Sequence, residues 1–164
     1  MGTPSSAIKT AIFTLCVPLV VAVWVPQRML ARDHATPMTL AWQAVGGVLF
    51  LAGIVGYFWC ASLFVKAHGT PAPIFPTHRA VVSGPYRINR NPMYTSVLAV
   101  VFGQALYYGD SRIGWYGAFL FVCFHVFVVL YEEPTLRRQF GSAYEAFSRT
   151  VPRWLPSTQH GGRP

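Results

Sequence analysis

Apolar positions along this chain come in long blocks separated by short polar stretches, not in alternation with polar ones. The first block runs from about Thr10 to Val25, with Pro26 placed to end it. The second, from about Leu40 to Val65, contains no charged residue. At about 1.5 Å rise per residue it can cross a ~30 Å hydrocarbon core with some tilt. Gly46, Gly47, Gly53 and Gly56 within it offer small surfaces for close helix approach. The third block, Met93 to Tyr108, and the fourth, Trp115 to Tyr131, are joined by the breaker-rich Gly109-Asp110-Ser111-Arg112-Ile113-Gly114, which predicts a short antiparallel helical hairpin. Beyond Glu132-Glu133-Pro134, Leu136, Phe140, Tyr144, Phe147 and Val151 recur at helical spacing, with Arg137, Arg138, Glu145 and Arg149 on the wetter sides. This predicts one amphipathic helix on the membrane surface, stopped by Pro152, with Trp154 as an interfacial anchor. No strand alternation or repeat is present, so the expected fold is all-α: four transmembrane helices and an interfacial helix in one domain, residues 1–164.

Composition strengthens this reading. Of 164 residues 53% are hydrophobic and 11% charged, against about 25% charged in soluble domains. An integral membrane protein follows, with no room for a second soluble domain. The formal charge of +8 would suit nucleic acid, but its placement excludes that class. Lys9, Lys66, Arg79, Arg87, Arg90, Arg137, Arg138, Arg149, Arg153 and Arg163 share one side of a chain that crosses four times, leaving Arg28, Arg32 and Arg112 on the other. That positive-inside bias puts both termini and the central polar segment in the cytoplasm, facing anionic lipid headgroups. Cys16, Cys60 and Cys123 sit inside apolar blocks without CxxC pairing and read as small buried hydrophobes, with no metal site. Trp24-Val25-Pro26-Gln27-Arg28 lacks a small-residue cleavage site, so the first block is expected to be a mature helix.

The polar stretch Ser83 to Tyr94 stands out between these blocks. Asn91-Pro92 reads as a helix start, with Asn as N-cap and Pro in the first turn. Such a start also forms an anion site, and Arg87 and Arg90 precede it, so a carboxylate could be received there. Glu132 and Glu133 end the fourth block, where adjacent carboxylates oppose the helix dipole. Two readings stay open for them: solvation or pairing with Arg137 or Arg138, or binding of an ammonium group or hydroxyls. Tyr86 and Tyr94 are either interfacial aromatics or a surface for an aromatic base and a cation. His125 is either a helix-packing histidine or a site residue. A hairpin would bring Asn91-Pro92-Met93-Tyr94 beside Glu132-Glu133, giving a pocket suited to a zwitterion that carries an aromatic base.

Gly84-Pro85-Tyr86, Arg90-Asn91-Pro92-Met93-Tyr94, Glu132-Glu133-Pro134, Phe140-Gly141, Tyr144 and Val151-Pro152 together resemble the membrane methyltransferases that include isoprenylcysteine carboxyl methyltransferase and phospholipid N-methyltransferases. The resemblance covers roughly residues 66 to 156. It implies S-adenosylmethionine bound on the cytoplasmic side of the C-terminal half, without a Rossmann glycine fingerprint. It implies cofactor roles for His78, Arg79, Ala80, Val81, Tyr86, Asn91, Pro92, Met93, Tyr94, Glu132 and Glu133, and marks Arg90, Glu132 and Glu133 as catalytic candidates. Two departures shift the expectation. Arg90-Asn91-Pro92 stands where the isoprenylcysteine enzymes show Arg-His-Pro, and Val128-Val129-Leu130 lacks the arginine they carry one turn before the carboxylates. A prenylated carboxylate acceptor is therefore disfavoured relative to a broader lipophilic or small-molecule acceptor.

The expected reaction is in-line transfer of the sulfonium methyl to an amine, thiolate or carboxylate, with the protein aligning the partners and excluding water. An amine must first lose a proton, for which Glu132, Glu133 and His78 are candidates. Two rival classes are a nicotinamide-dependent membrane reductase of the sterol-reductase type and a small non-enzymatic four-helix transporter or subunit. The transporter reading would call for a carboxylate inside a span, whereas Asp33, Asp110, Glu132, Glu133 and Glu145 lie at segment ends or in loops. The oligomeric state has no signature in the sequence.

Overall fold

The computed structural model describes residues 18–30, 38–66 and 83–155. His78, Arg79, Ala80 and Val81 lie outside them, as do the start of the first apolar block and the residues after 155. Among the described residues every regular element is helical: α1 (Val20–Leu30), α2 (Leu40–Lys66), a 3-10 turn (Gly84–Arg87), α3 (Pro92–Tyr108), α4 (Ser111–Phe127), α5 (Glu133–Phe140) and α6 (Ser142–Thr150). α4 continues into α5 through a π-helical turn, Val128–Glu132.

α3 is the central element, with α2, α4 and α1 packed around it. Small residues set the α2–α3 distance. A Cβ on Gly46 would lie 2.5 Å from the Tyr107 amide nitrogen, and one on Gly103 would lie 2.6 Å from that of Phe50. The two backbones approach as closely as hydrogen-for-side-chain exchange permits. Val97, Val101, Ile113 and Leu120 form the core beside this seam, joined by Ala22 of α1. Gly109, at φ +65, ends α3 in the left-handed region, and the Asp110 side chain then accepts from the Arg112 amide to begin α4.

The outer faces are apolar. Leu40, Val48, Leu51, Val55 and Phe58 on α2 are exposed, as are Trp115, Phe119, Val122 and Leu130 on α4 and the π-turn. Leu40–Leu63 and Ser111–Phe140 are each long and apolar enough to cross a membrane, and little of either is buried inside the protein. A soluble core helix would be covered by protein, whereas these side chains face outwards as lipid-exposed ones do. Cys123 shares that outer face, in contrast to the burial expected of it, whereas Cys60 is fully buried.

Pro26 was expected to end the first helix, but α1 runs through it to Leu30. The reason is long-range. The Val25 amide bonds to Val20 in a π-turn, and Pro26 has no N–H, so the carbonyls of Val21 and Ala22 lose their helical donors. Tyr116 donates its hydroxyl to Val21 (2.9 Å) and Gln104 its side-chain amide to Ala22 (2.6 Å). Arg112 donates to the carbonyl of Met29 at the helix end (3.1 Å).

The C-terminal amphipathic segment also departs from expectation, because Gly141, at φ +51, divides it into α5 and α6. Positive φ favours glycine, so the apolar spacing continues across a break in the backbone. Val151 is extended (φ −112°, ψ 124°) and buried, opening a strap, Val151–Leu155, that turns back across the molecule.

Candidate functional site

The site region lies where the 3-10 turn, the start of α3 and the π-turn meet. Gly84, at φ +59, allows the chain to turn beside Trp59 and Leu63 of α2, and Pro85 opens the 3-10 turn that presents Tyr86. Asn89 then accepts from the Asn91 amide (2.9 Å), a local side-chain turn that aims the chain into α3. α3 begins at Pro92 with Asn91 at the cap position, as its sequence predicts. The Asn91 side chain, however, makes no cap bond; its Nδ2 donates to the Arg153 carbonyl (3.0 Å). The first-turn amides of α3 are thus left without a side-chain acceptor from Asn91. Met93 packs against the core and Pro92 is buried.

The adjacent carboxylates have separate surroundings. Glu133, 4% exposed, accepts two bonds from Arg153 (2.6 and 3.0 Å) and one from Arg90 (3.1 Å), with Arg137 at 3.8 Å. Arg90 also donates to the Tyr144 hydroxyl (3.5 Å). A buried carboxylate held by several guanidiniums is a structural knot, and its bonds to Glu133 hold the Arg153 guanidinium above its ordinary pKa. Burial pushes the Tyr144 phenol upwards, so it stays neutral beside this knot. Arg137 reaches Glu133, whereas Arg138 bonds back to the Pro134 carbonyl.

Glu132, half-buried, accepts instead from the Tyr94 hydroxyl (3.0 Å). The Tyr94 ring lies on Phe124 of α4, centroids 4.9 Å apart. Burial, foremost, drives the Tyr86 phenol well above its ordinary pKa, and Cys60, Glu132, Tyr94 and Tyr57 add to the shift electrostatically. The second environment is therefore a carboxylate held by a phenol hydroxyl whose ring rests on a second aromatic side chain. Tyr57 and Cys60 had no mark in the sequence beyond their place in a glycine-rich apolar helix.

Arg90 retains one unmet group: its Nε is buried and has no hydrogen-bond partner, which is so of no other buried side-chain nitrogen or oxygen among the described residues. An unmet donor on a buried guanidinium costs about 1–3 kcal/mol unless an acceptor arrives. Arg87 is exposed. His125 accepts from Trp154 Nε1 (3.1 Å) and so takes the packing role.

No curated protein and no solved structure matches the chain. The model of one family does, over residues 41–143, a span that includes α2, α3, α4 and both carboxylates. With its outward-facing apolar helices and its divided Glu132-Glu133 pair at the end of one of them, the chain belongs to the phospholipid methyltransferase family.

Proposed function

We propose that this membrane protein transfers the methyl group of S-adenosylmethionine to a lipophilic or membrane-associated acceptor. The observation that carries the reading is Glu132: a half-buried carboxylate, fixed by Tyr94, inside the family-matched region. A carboxylate among aromatic rings suits a ligand with an ammonium, ribose hydroxyls and a cationic sulfur. The unmet Nε of Arg90 and the uncapped start of α3 suit that ligand's carboxylate. The donor set therefore fits the cofactor.

When bound, S-adenosylmethionine supplies a methyl group already activated by its sulfonium, so the chain needs no strong nucleophile of its own. Glu132 holds the ammonium or hydroxyls, and Tyr94 fixes that carboxylate's direction. Arg90 and the uncapped first turn of α3 would receive the carboxylate. α2, α3 and α4 exclude water and align the acceptor, which enters sideways from the lipid. The acceptor atom stays open among nitrogen, sulfur and oxygen. Four crossings with both termini and this site in the cytoplasm complete the reading, supported by the charge bias along the sequence.

Titration of purified protein in detergent with S-adenosylmethionine and its demethylated product tests the proposal. Wild type binds both, and Glu132→Gln and Tyr94→Phe weaken binding by roughly tenfold or more, the scale of a hydrogen bond to a charged group. No binding by wild type overturns it, and preference for a nicotinamide dinucleotide transfers the site to the reductase reading.

A further inference from the structure

The strap Val151–Leu155 makes more polar contacts than its length requires, and they converge on the site. The Pro152 carbonyl accepts from the Arg90 amide (2.9 Å), and the Arg153 carbonyl accepts from Asn91 Nδ2 (3.0 Å). The Arg153 side chain grips Glu133 with two parallel bonds. Trp154 donates to His125 Nδ1 (3.1 Å) and packs edge-on against Phe121, centroids 5.2 Å apart. Five residues therefore tie together the loop before α3, the outer face of α4 and the start of α5.

We propose that this strap is a clamp that aims Glu132, with Arg153 and Trp154 as positioning residues for the methyl-transfer site; the inference rests on the function proposed above. Successive helical residues diverge by about 100° around the axis, so fixing Glu133 fixes the direction of Glu132. The π-turn before them, closed by the Glu133 amide on Val128, is a weakly constrained stretch of helix that needs such an external hold. Arg153 supplies it from one side and Arg90, whose own backbone is held by the strap, from the other. The Trp154–His125 bond anchors the far end of the strap to α4, so a change there is transmitted to Glu133 without touching ligand. The side-chain hydrogen bonds of Arg153 and Trp154 go to Glu133 and His125, not to Glu132 or Tyr94, which separates positioning from catalysis.

The test uses the full chain in detergent and the variants Trp154→Phe, Arg153→Gln and Arg153→Lys. Trp154→Phe keeps an aromatic ring beside Phe121 and removes the N–H donor along with part of the indole surface. Hydrogen exchange at the Arg90 and Glu133 amides is read without ligand, and S-adenosylmethionine affinity is read by titration. Trp154→Phe and Arg153→Gln are expected to speed exchange at both amides and weaken cofactor binding, by roughly tenfold for Trp154→Phe, which loses one bond, and by more for Arg153→Gln, which loses two. Arg153→Lys, which restores charge without the two-pronged grip, falls between Arg153→Gln and wild type in both readouts. A cofactor affinity that stays at the wild-type value while exchange accelerates overturns the clamp, as does exchange that stays unchanged in both Trp154→Phe and Arg153→Gln. Failure of wild type to bind S-adenosylmethionine removes the function on which the clamp rests, and is distinguished by unperturbed exchange contrasts among the variants.

Discussion

Glu132 and Glu133 are neighbours of the same type, yet the same substitution at each should act on different properties. Glu133→Gln removes a charge that is 5% exposed in its side chain and faces Arg90, Arg153 and Arg137, which are 12%, 32% and 50% exposed. Removing one member of a buried ion pair costs about 3–5 kcal/mol, mainly because the partner is left uncompensated. Arg153 and Arg137 reach water and regain hydration, so the full loss falls on Arg90 alone and the low end, about 3 kcal/mol, is expected. In a chain of this size each kcal/mol moves the melting midpoint by roughly 2–4 °C, giving a fall of roughly 6–12 °C. Glu132→Gln keeps an acceptor for the Tyr94 hydroxyl and removes a desolvated charge. Its effect on stability should be about 1 kcal/mol or less, well short of that of Glu133→Gln, while cofactor affinity falls. Thermal unfolding in detergent followed by tryptophan fluorescence, paired with cofactor titration, reads both. Equal destabilisation by the two variants, or a stable Glu133→Gln, would refute the division of the pair into scaffold and site.

Gly103→Ala forces a Cβ to within 2.6 Å of the Phe50 amide and should destabilise by about 1–3 kcal/mol; Gly114→Ala, with nothing within 4 Å, should instead be neutral or stabilising in the same melt. Gln104→Leu leaves the Ala22 carbonyl without its donor and should cost about 1–3 kcal/mol, with faster exchange in α1. Hydrogen bonds from Arg112 hold the Asp110 carboxyl below its ordinary pKa, so its contribution is full above the unfolded value and is lost as pH falls through the folded one. Wild type should therefore out-melt Asp110→Asn at neutral pH, with the gap closing below about pH 4; a gap that widens in acid contradicts this.

Where burial is local, the sequence was a good guide. The charge-free run from Leu40 is helix to Lys66, and Asn91-Pro92 does begin α3. What escaped depends on partners distant in the chain. Pro26 reads as a stop because the helix it interrupts cannot repair itself; the donors that repair it, Gln104 and Tyr116, come from two other helices. The periodic spacing from Leu136 to Val151 reads as one helix because periodicity records side-chain faces and is blind to a glycine at positive φ. Asn91 fits the helix-cap pattern, but tertiary contact with the strap claims its side chain. In the site, the Glu132-Glu133 pair was visible as two adjacent carboxylates, whereas its division follows from a π-turn that no residue pattern announces. Arg153 read as one of several tail cations and Trp154 as a membrane anchor; their bonds to Glu133 and His125 come from the return of the strap.

The central claim is methyl transfer to a lipophilic acceptor at Glu132. Purified protein reconstituted into lipid nanodiscs, supplied with S-adenosylmethionine labelled in its methyl group, gives one decisive reading: label in the organic-phase extract. Wild type should label the lipid fraction while Glu132→Gln, still folded, should not. Wild type that leaves the lipid fraction unlabelled, or Glu132→Gln that labels it at the same rate, would contradict the account.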